Sequence, residues 1–158
     1  MPPPLLFDLE GIDLDHICVT QEQIYEYLPH RHEFMLLHGI CHLDIEKKHI
    51  IAFRDIRADD WWFPGHVPGR PLLPGVLMLE MAGQASGLLA KMLDETEAFI
   101  GFGGVDQCKF RETVEAYTRL YLLCRGVDIR HRRVVSDTQG VANGRLIFEA
   151  RITGVRMR

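Results

Sequence analysis

Between Pro71 and Ala90 the chain carries a single ionisable residue, Glu80, set among apolar or small neighbours. A carboxylate buried without partners costs several kcal/mol, so Glu80 must either find a hydrogen-bond partner or hold its proton to unusually high pH. Either state suits acid catalysis. The simpler alternative is that Glu80 lies on an exposed stripe or ties down a loop, and its apolar surroundings weigh against that. Upstream, His66 sits in Gly65-His66-Val67-Pro68, where glycine and proline limit the loop's freedom. Histidine is the usual general base near neutral pH. The chain has eight histidines, so only its company singles out His66. The third component is Gly75, just after Pro74, at the expected start of a helix. Unpaired amides there bear partial positive charge and can hold an oxyanion, and glycine allows close approach, although an ordinary tight turn has the same look.

Positioning these residues requires particular elements. The run GVLMLEMAGQASGLLAKML has proline near its start and almost no polar face, which predicts a helix enclosed on most sides. The preceding WWFPGHVPGRPLLPG has four prolines and three glycines and predicts a stiff loop over most of its length. Thr20 and Gln23 have the spacing of a capping box ahead of a short helix ending at Pro29. Residues 34–56 predict a pair of strands turning near Lys47 and Lys48. After the long helix, AFIGFGGVDQCKF, TRLYLLCRGVDI, RRVVSDTQGVA and GRLIFEARITGV predict antiparallel strands, with Asn143-Gly144 as a hairpin turn. An enclosed helix among such strands is most simply housed by a curved antiparallel sheet that wraps it, an α+β arrangement.

The 158 residues, 47% hydrophobic, suit one domain spanning 1–158, with residues 1–19 a proline- and acid-rich leading arm. A net charge of -4 gives no general attraction to nucleic acid. Cys18, Cys41, Cys108 and Cys124 form no C-x-x-C pair, so local spacing builds neither a zinc knuckle nor a redox motif. No metal is called for. Reduced thiols fit a cytoplasmic setting. The amino terminus lacks the pattern of a secretory signal, and Glu80, Gln84, Ser86 and Lys91 interrupt the longest apolar stretch, so no membrane span is expected.

WFPGHVPGRPLLPGVLMLEMAGQ closely resembles the signature of the FabZ-type 3-hydroxyacyl-[acyl-carrier-protein] dehydratases, with matching ungapped spacing. LPHRHEFMLL, GGVDQCKFRETV and VANGRLIFEARI are similar to further segments of that family, so the resemblance covers most of Leu28 to Val155. It implies a hot-dog fold, with His66 and Glu80 catalytic and Gly75 supplying the substrate-binding amide for the thioester carbonyl. It also implies that each site takes its histidine from one subunit and its carboxylate from the other. The minimum unit would be a homodimer, and many relatives assemble three dimers. Related dehydratase-isomerases carry aspartate at the acidic position, so Glu80 points to the simple dehydratase branch. Glu33, His38-Gly39, Gly83 and EAYTRL at Glu115 to Leu120 depart from the family pattern, and none touches His66, Gly75 or Glu80.

The implied activity is that of a hydro-lyase: a 3-hydroxyacyl thioester on acyl carrier protein loses water to give a trans-2-enoyl thioester in fatty acid or related lipid or polyketide synthesis. No metal, nucleotide or other cofactor is required. The partner would be acyl carrier protein with a phosphopantetheine-linked chain. Since such carriers are acidic, Arg125, Arg130, Arg132 and Arg133 are a candidate landing patch, with a solvated turn as the alternative. Met78 and Met81 would line an acyl tunnel or belong to plain core, and Trp61 and Trp62 would cover the site or a dimer contact, or simply pack. Two competing functions stay open: a hot-dog acyl thioesterase, and a noncatalytic acyl-binding subunit.

Overall fold

A computed structural model describes residues 3–94 and 98–157. Residues 1–2 of the expected arm lie outside the described residues. The chain runs through strand β1 (Val19–Thr20), helix α1 (Gln21–Tyr27), a 3-10 turn (His32–Phe34), β2 (Gly39–Asp44) and β3 (His49–Ile56). Helices α2 (Phe63–His66) and α3 (Gly75–Leu93) follow, then β4 (Phe99–Phe110), β5 (Thr118–Ile129), β6 (Arg133–Ala142) and β7 (Arg145–Met157). The strands form one antiparallel sheet in the order β1-β2-β3-β5-β6-β7-β4. It curves around α3 in a hot-dog fold.

Local chemistry explains the element boundaries. Thr20 accepts from the Gln23 amide and the Gln23 side chain accepts from the Thr20 amide, the capping box that starts α1. Asn143 and Gly144 take φ 52° and 72°, and Ala142 pairs with Arg145 around them, a two-residue turn matched to strand twist. The proline-rich segment departs from the expected loop at one place. Pro64 falls in the first turn of α2, where a missing N–H costs nothing, so Phe63–His66 closes one helical turn.

Strand alternation divides the core between two faces. Toward α3 lie Leu120, Leu122, Phe148, Ile152 and the helix's own Met81, Ala85 and Leu88, all buried. The opposite face buries Ile51, Phe53 and Leu123 beneath Leu6, Phe7, Leu9, Ile12 and Leu14, so the leading arm is a packed strap. Gln139 holds that strap at both ends of its amide: Oε1 accepts from the Leu6 amide at 2.9 Å and Nε2 donates to the Pro4 carbonyl at 3.0 Å. Arg125 donates to the Leu6 carbonyl at 2.8 Å, and Phe7 stacks on His49 with centroids 4.0 Å apart. Helix α3 has the length and hydropathy to cross a bilayer, but 67% of its apolar stretch is buried inside the fold, which accounts for its apolarity.

Phe148 is fully buried between sheet and helix. Phe148→Ala is expected to lower unfolding free energy by about 3–5 kcal/mol through lost contacts and a residual cavity. Urea titration followed by tryptophan fluorescence measures it, and a loss below about 1 kcal/mol would mean that this interior collapses freely.

Candidate active site

Glu80 lies on the second turn of α3, with its side chain 22% exposed, and it has partners. Gln84, one turn later, donates from Nε2 to Glu80 Oε1 at 3.0 Å and to the Phe34 carbonyl at 2.9 Å. Its Oε1 accepts from the Tyr25 hydroxyl at 2.7 Å, and that hydroxyl accepts from the Leu37 amide at 2.9 Å. His30 Nε2 approaches Glu80 Oε1 at 3.4 Å. The His30 hydrogen bond, aided by that of Gln84, holds the Glu80 carboxyl below its ordinary value of 4.5 despite burial. Of the two states allowed by the sequence, the structure shows the partnered one. Sequence reasoning missed His30, although it stands in LPHRHEFMLL directly after the proline that closes α1. A carboxylate in need of a partner was the signal for it.

His66 ends α2 and is exposed. Its Nδ1 lies 2.9 Å from the Leu72 carbonyl. A carbonyl can only accept, so Nδ1 carries a proton and Nε2 is the nitrogen left to act as a base. The loop is stiff for reasons beyond its prolines. Leu72 bridges to Glu115, and the Leu73 amide donates to the Val114 carbonyl at 2.8 Å. Tyr117, within the unusual EAYTRL segment, takes φ 65°, and its amide donates to the Ile56 carbonyl at 2.7 Å. At the loop's start Arg54 donates to Asp60 at 2.6 Å, and its guanidinium lies 5.2 Å from the centre of the Trp62 ring. Trp62 is therefore a packed anchor, while Trp61 is half exposed.

Gly75 opens α3, where first-turn amides have no carbonyl four residues back in the helix, and Pro74 offers no side-chain cap. A Cβ on Gly75 would stand 2.9 Å from the Phe110 ring. Glycine therefore suits the packing of a β4 ring here as well as the approach of a ligand. The same relation recurs two turns along α3, where a Cβ on Gly83 would stand 2.5 Å from the Phe102 ring. This makes Gly83 the partner of a second β4 aromatic.

Within the chain these residues fall in two separate places. His66 and Gly75 share the loop entering α3. Glu80 lines a cavity of about 100 Å³ with His30, Gly83, Gln84, Gly87 and Phe102, and neither His66 nor Gly75 borders it. Met78 and Met81 are core residues outside that cavity. Arg125 is engaged with Leu6 and Asp137, whereas Arg130, Arg132 and Arg133 are exposed at the β5–β6 turn. No group of three or more metal-ligating side chains occurs among the described residues.

The family model for the FabA-like domain matches residues 28–151, which include His66, Gly75 and Glu80. The chain belongs to the FabA-like domain family. Solved structures share the fold of this FabA-like protein at low sequence identity. The dehydratase heterocomplex ApeI:P from Xenorhabdus doucetiae matches with TM-score 0.73 and 16% identity, over 85% of this chain and 91% of that one. A mutant of the phenylacetic acid degradation protein PaaI from Thermus thermophilus matches with TM-score 0.59 and 16% identity, over 77% and 94%. A hypothetical thioesterase with coenzyme A from Streptococcus pneumoniae matches with TM-score 0.58 and 13% identity, over 75% and 84%.

Because the folded carboxyl of Glu80 is depressed, its contribution to stability is present above the unfolded value and is lost as pH falls through the folded one. His30→Ala removes the largest cause of that depression. Carboxyl-carbon NMR should show Glu80 titrating higher in this variant, with a shallower loss of stability below pH 4.5. An unmoved titration would assign the depression to Gln84 instead.

Proposed function

We propose that this FabA-like protein dehydrates 3-hydroxyacyl thioesters, with His66 and Gly75 of one subunit facing Glu80 of a second. The observation that carries this is the position of β4. It is the sheet's edge strand, paired on one side with β7, and Phe99, Phe102, Val105 and Phe110 along it are 40% to 50% exposed. An open edge of this kind is completed by a second strand. A two-fold axis across β4 would reverse one strand against the other, bringing the Phe110 end of one protomer beside the Phe102 end of its partner. Since Phe110 packs on Gly75 and Phe102 on Gly83, that pairing would bring each loop half-site to the other subunit's carboxylate half-site.

In this arrangement His66 Nε2 takes the C2 proton, and the negative charge growing on the thioester oxygen is met by the Gly75 amide and the dipole of α3. The C3–O bond then breaks, and the departing hydroxyl receives a proton by way of Glu80. Glu80 is ionised at rest, but an acyl chain that expels water raises its basicity and lets it hold that proton. Water and a trans-2-enoyl thioester result, and solvent returns the proton from His66 to Glu80. An acyl carrier protein is the proposed carrier, for which Arg130, Arg132 and Arg133 remain a candidate landing patch. A cytoplasmic setting belongs to the same proposal, supported by four cysteines that are all free thiols.

One observation favours a second function. A carboxylate held ionised in the free protein is suited to directing water at a thioester carbonyl, which is thioesterase chemistry. The His66 loop and the Gly75 amide weigh toward dehydration. Product analysis separates the two: enoyl formation without thiol release supports dehydration, thiol release supports hydrolysis, and binding without turnover supports an acyl-binding subunit.

His66→Ala and Glu80→Gln should each lower kcat about 10²–10⁴-fold. Co-expression of the two variants should restore turnover, because a mixed dimer keeps one intact site. Equal inactivity of the mixed protein, with dimers shown by sedimentation, would overturn the shared site.

A further inference from the structure

The cavity beside Glu80 continues along α3 past the site described above. Glu80, Gly83, Gly87 and Lys91 recur on one helical stripe and line it, with Ser86 beside them. Across from the helix, β6 contributes Ser136, which shares a strand face with Val134, also on the cavity wall. At 1.5 Å per residue, Ser86 lies about 9 Å along the helix from Glu80 and Lys91 about 16 Å.

An acyl tunnel has no need of polar walls, yet this one has two buried hydroxyls. Ser86 and Ser136 are 5% and 0% exposed; the Ser136 oxygen is buried without a hydrogen-bond partner, and the Ser86 oxygen has only the Cys124 thiol beside it. Beside Ser86 the Cys124 thiol is kept protonated by burial and offers only a weak interaction. Serines frequently satisfy themselves on nearby backbone carbonyls, and Thr138, two residues on from Ser136, donates to the Ala150 carbonyl at 2.9 Å. Ser136 makes no such bond. At the far end the Lys91 ammonium donates to the Tyr27 carbonyl at 2.8 Å, which leaves it further donor capacity.

Buried hydroxyls lacking partners are destabilising unless a ligand or ordered water completes them. Size limits what that ligand can be. An apolar void of about 150 Å³ accommodates benzene, so the roughly 100 Å³ here admits a short tail.

We propose that this cavity selects acyl chains that are short and carry an oxygen at the distal end, with Ser86 and Ser136 as the residues that bind it. The inference rests on Glu80 marking the reacting end of the same cavity. Ser86 and Ser136 thereby become specificity-determining residues, remote from the bonds that change.

Calorimetry with hydrolysis-proof, amide-linked acyl pantetheines tests this without turnover. Plain and ω-hydroxylated chains from hexanoyl to decanoyl are compared on the full-length dimer. At one chain length the hydroxylated ligand should bind about 10-fold more tightly, the scale of one net hydrogen bond. Ser86→Ala with Ser136→Ala should close that gap, and each single variant should narrow it. Plain chains binding as tightly at every length, or a gap that survives both substitutions, would overturn the proposal and leave the hydroxyls to water. These affinities involve no reaction, so a failure of dehydration activity would not be mistaken for a failure of this subsite.

Discussion

A carboxylate on the most enclosed helix of the molecule has to be hydrogen-bonded, and the bonds that satisfy Glu80 organise one whole end of the structure. Gln84 devotes its entire amide to this task. Its oxygen receives the Tyr25 hydroxyl, and its two N–H groups reach Glu80 and the Phe34 carbonyl. One side chain therefore ties α1, the 3-10 turn and α3 together. Tyr25 extends the tie to the Leu37 amide, at the entry to β2. Because Gln84 bonds to three of these groups at once, losing it would strand several polar atoms. His30 joins the set and lowers the pKa of Glu80, which links the packing of this end to its chemistry.

The same helix imposes a second constraint through its small residues. Gly75 and Gly83 let Phe110 and Phe102 of β4 settle onto the helix backbone. The edge strand consequently covers the start of α3 at one end and the cavity beside Glu80 at the other. An edge that touches both half-sites couples catalysis to assembly in the proposed dimer, since completing the sheet and completing the site become one event. The stiff loop carrying His66 is held independently, by Arg54, Asp60 and Trp62 at its start and by backbone bonds to Val114 and Glu115 at its end.

Several features were legible because they depend on nearest neighbours in the chain. The capping box at Thr20, the Asn143-Gly144 turn and the proline at the start of α3 each rest on bonds spanning a few residues. The sheet wrapped around a helix followed from α3's lack of a polar face. The segment Phe63–His66 was less legible, because proline forbids a helix interior but not a helix start. The leading arm is legible in the sequence only as a proline- and acid-rich segment, yet it covers one face of the sheet. Its apolar residues are too sparse and irregular to announce a surface, and the polar side chains that clamp it, Arg125 and Gln139, come from more than a hundred residues away. That contact also withdraws Arg125 from the basic cluster to which its sequence neighbours belong.

The amino-acid sequence alone determined the protein's class: a solitary carboxyl in an apolar helix, a constrained histidine and a glycine at a helix start, in an order resembling one family and matched by the FabA-like family model. Those are matters of residue type and local spacing. Tertiary structure decided the partners that lower the pKa of Glu80, the tautomer of His66 and the separation of Glu80 from His66 and Gly75. Each of these turns on a partner distant in the chain or, for His66, on the path of a folded loop, and ionisation, proton placement and cavity shape respond to neighbours in space.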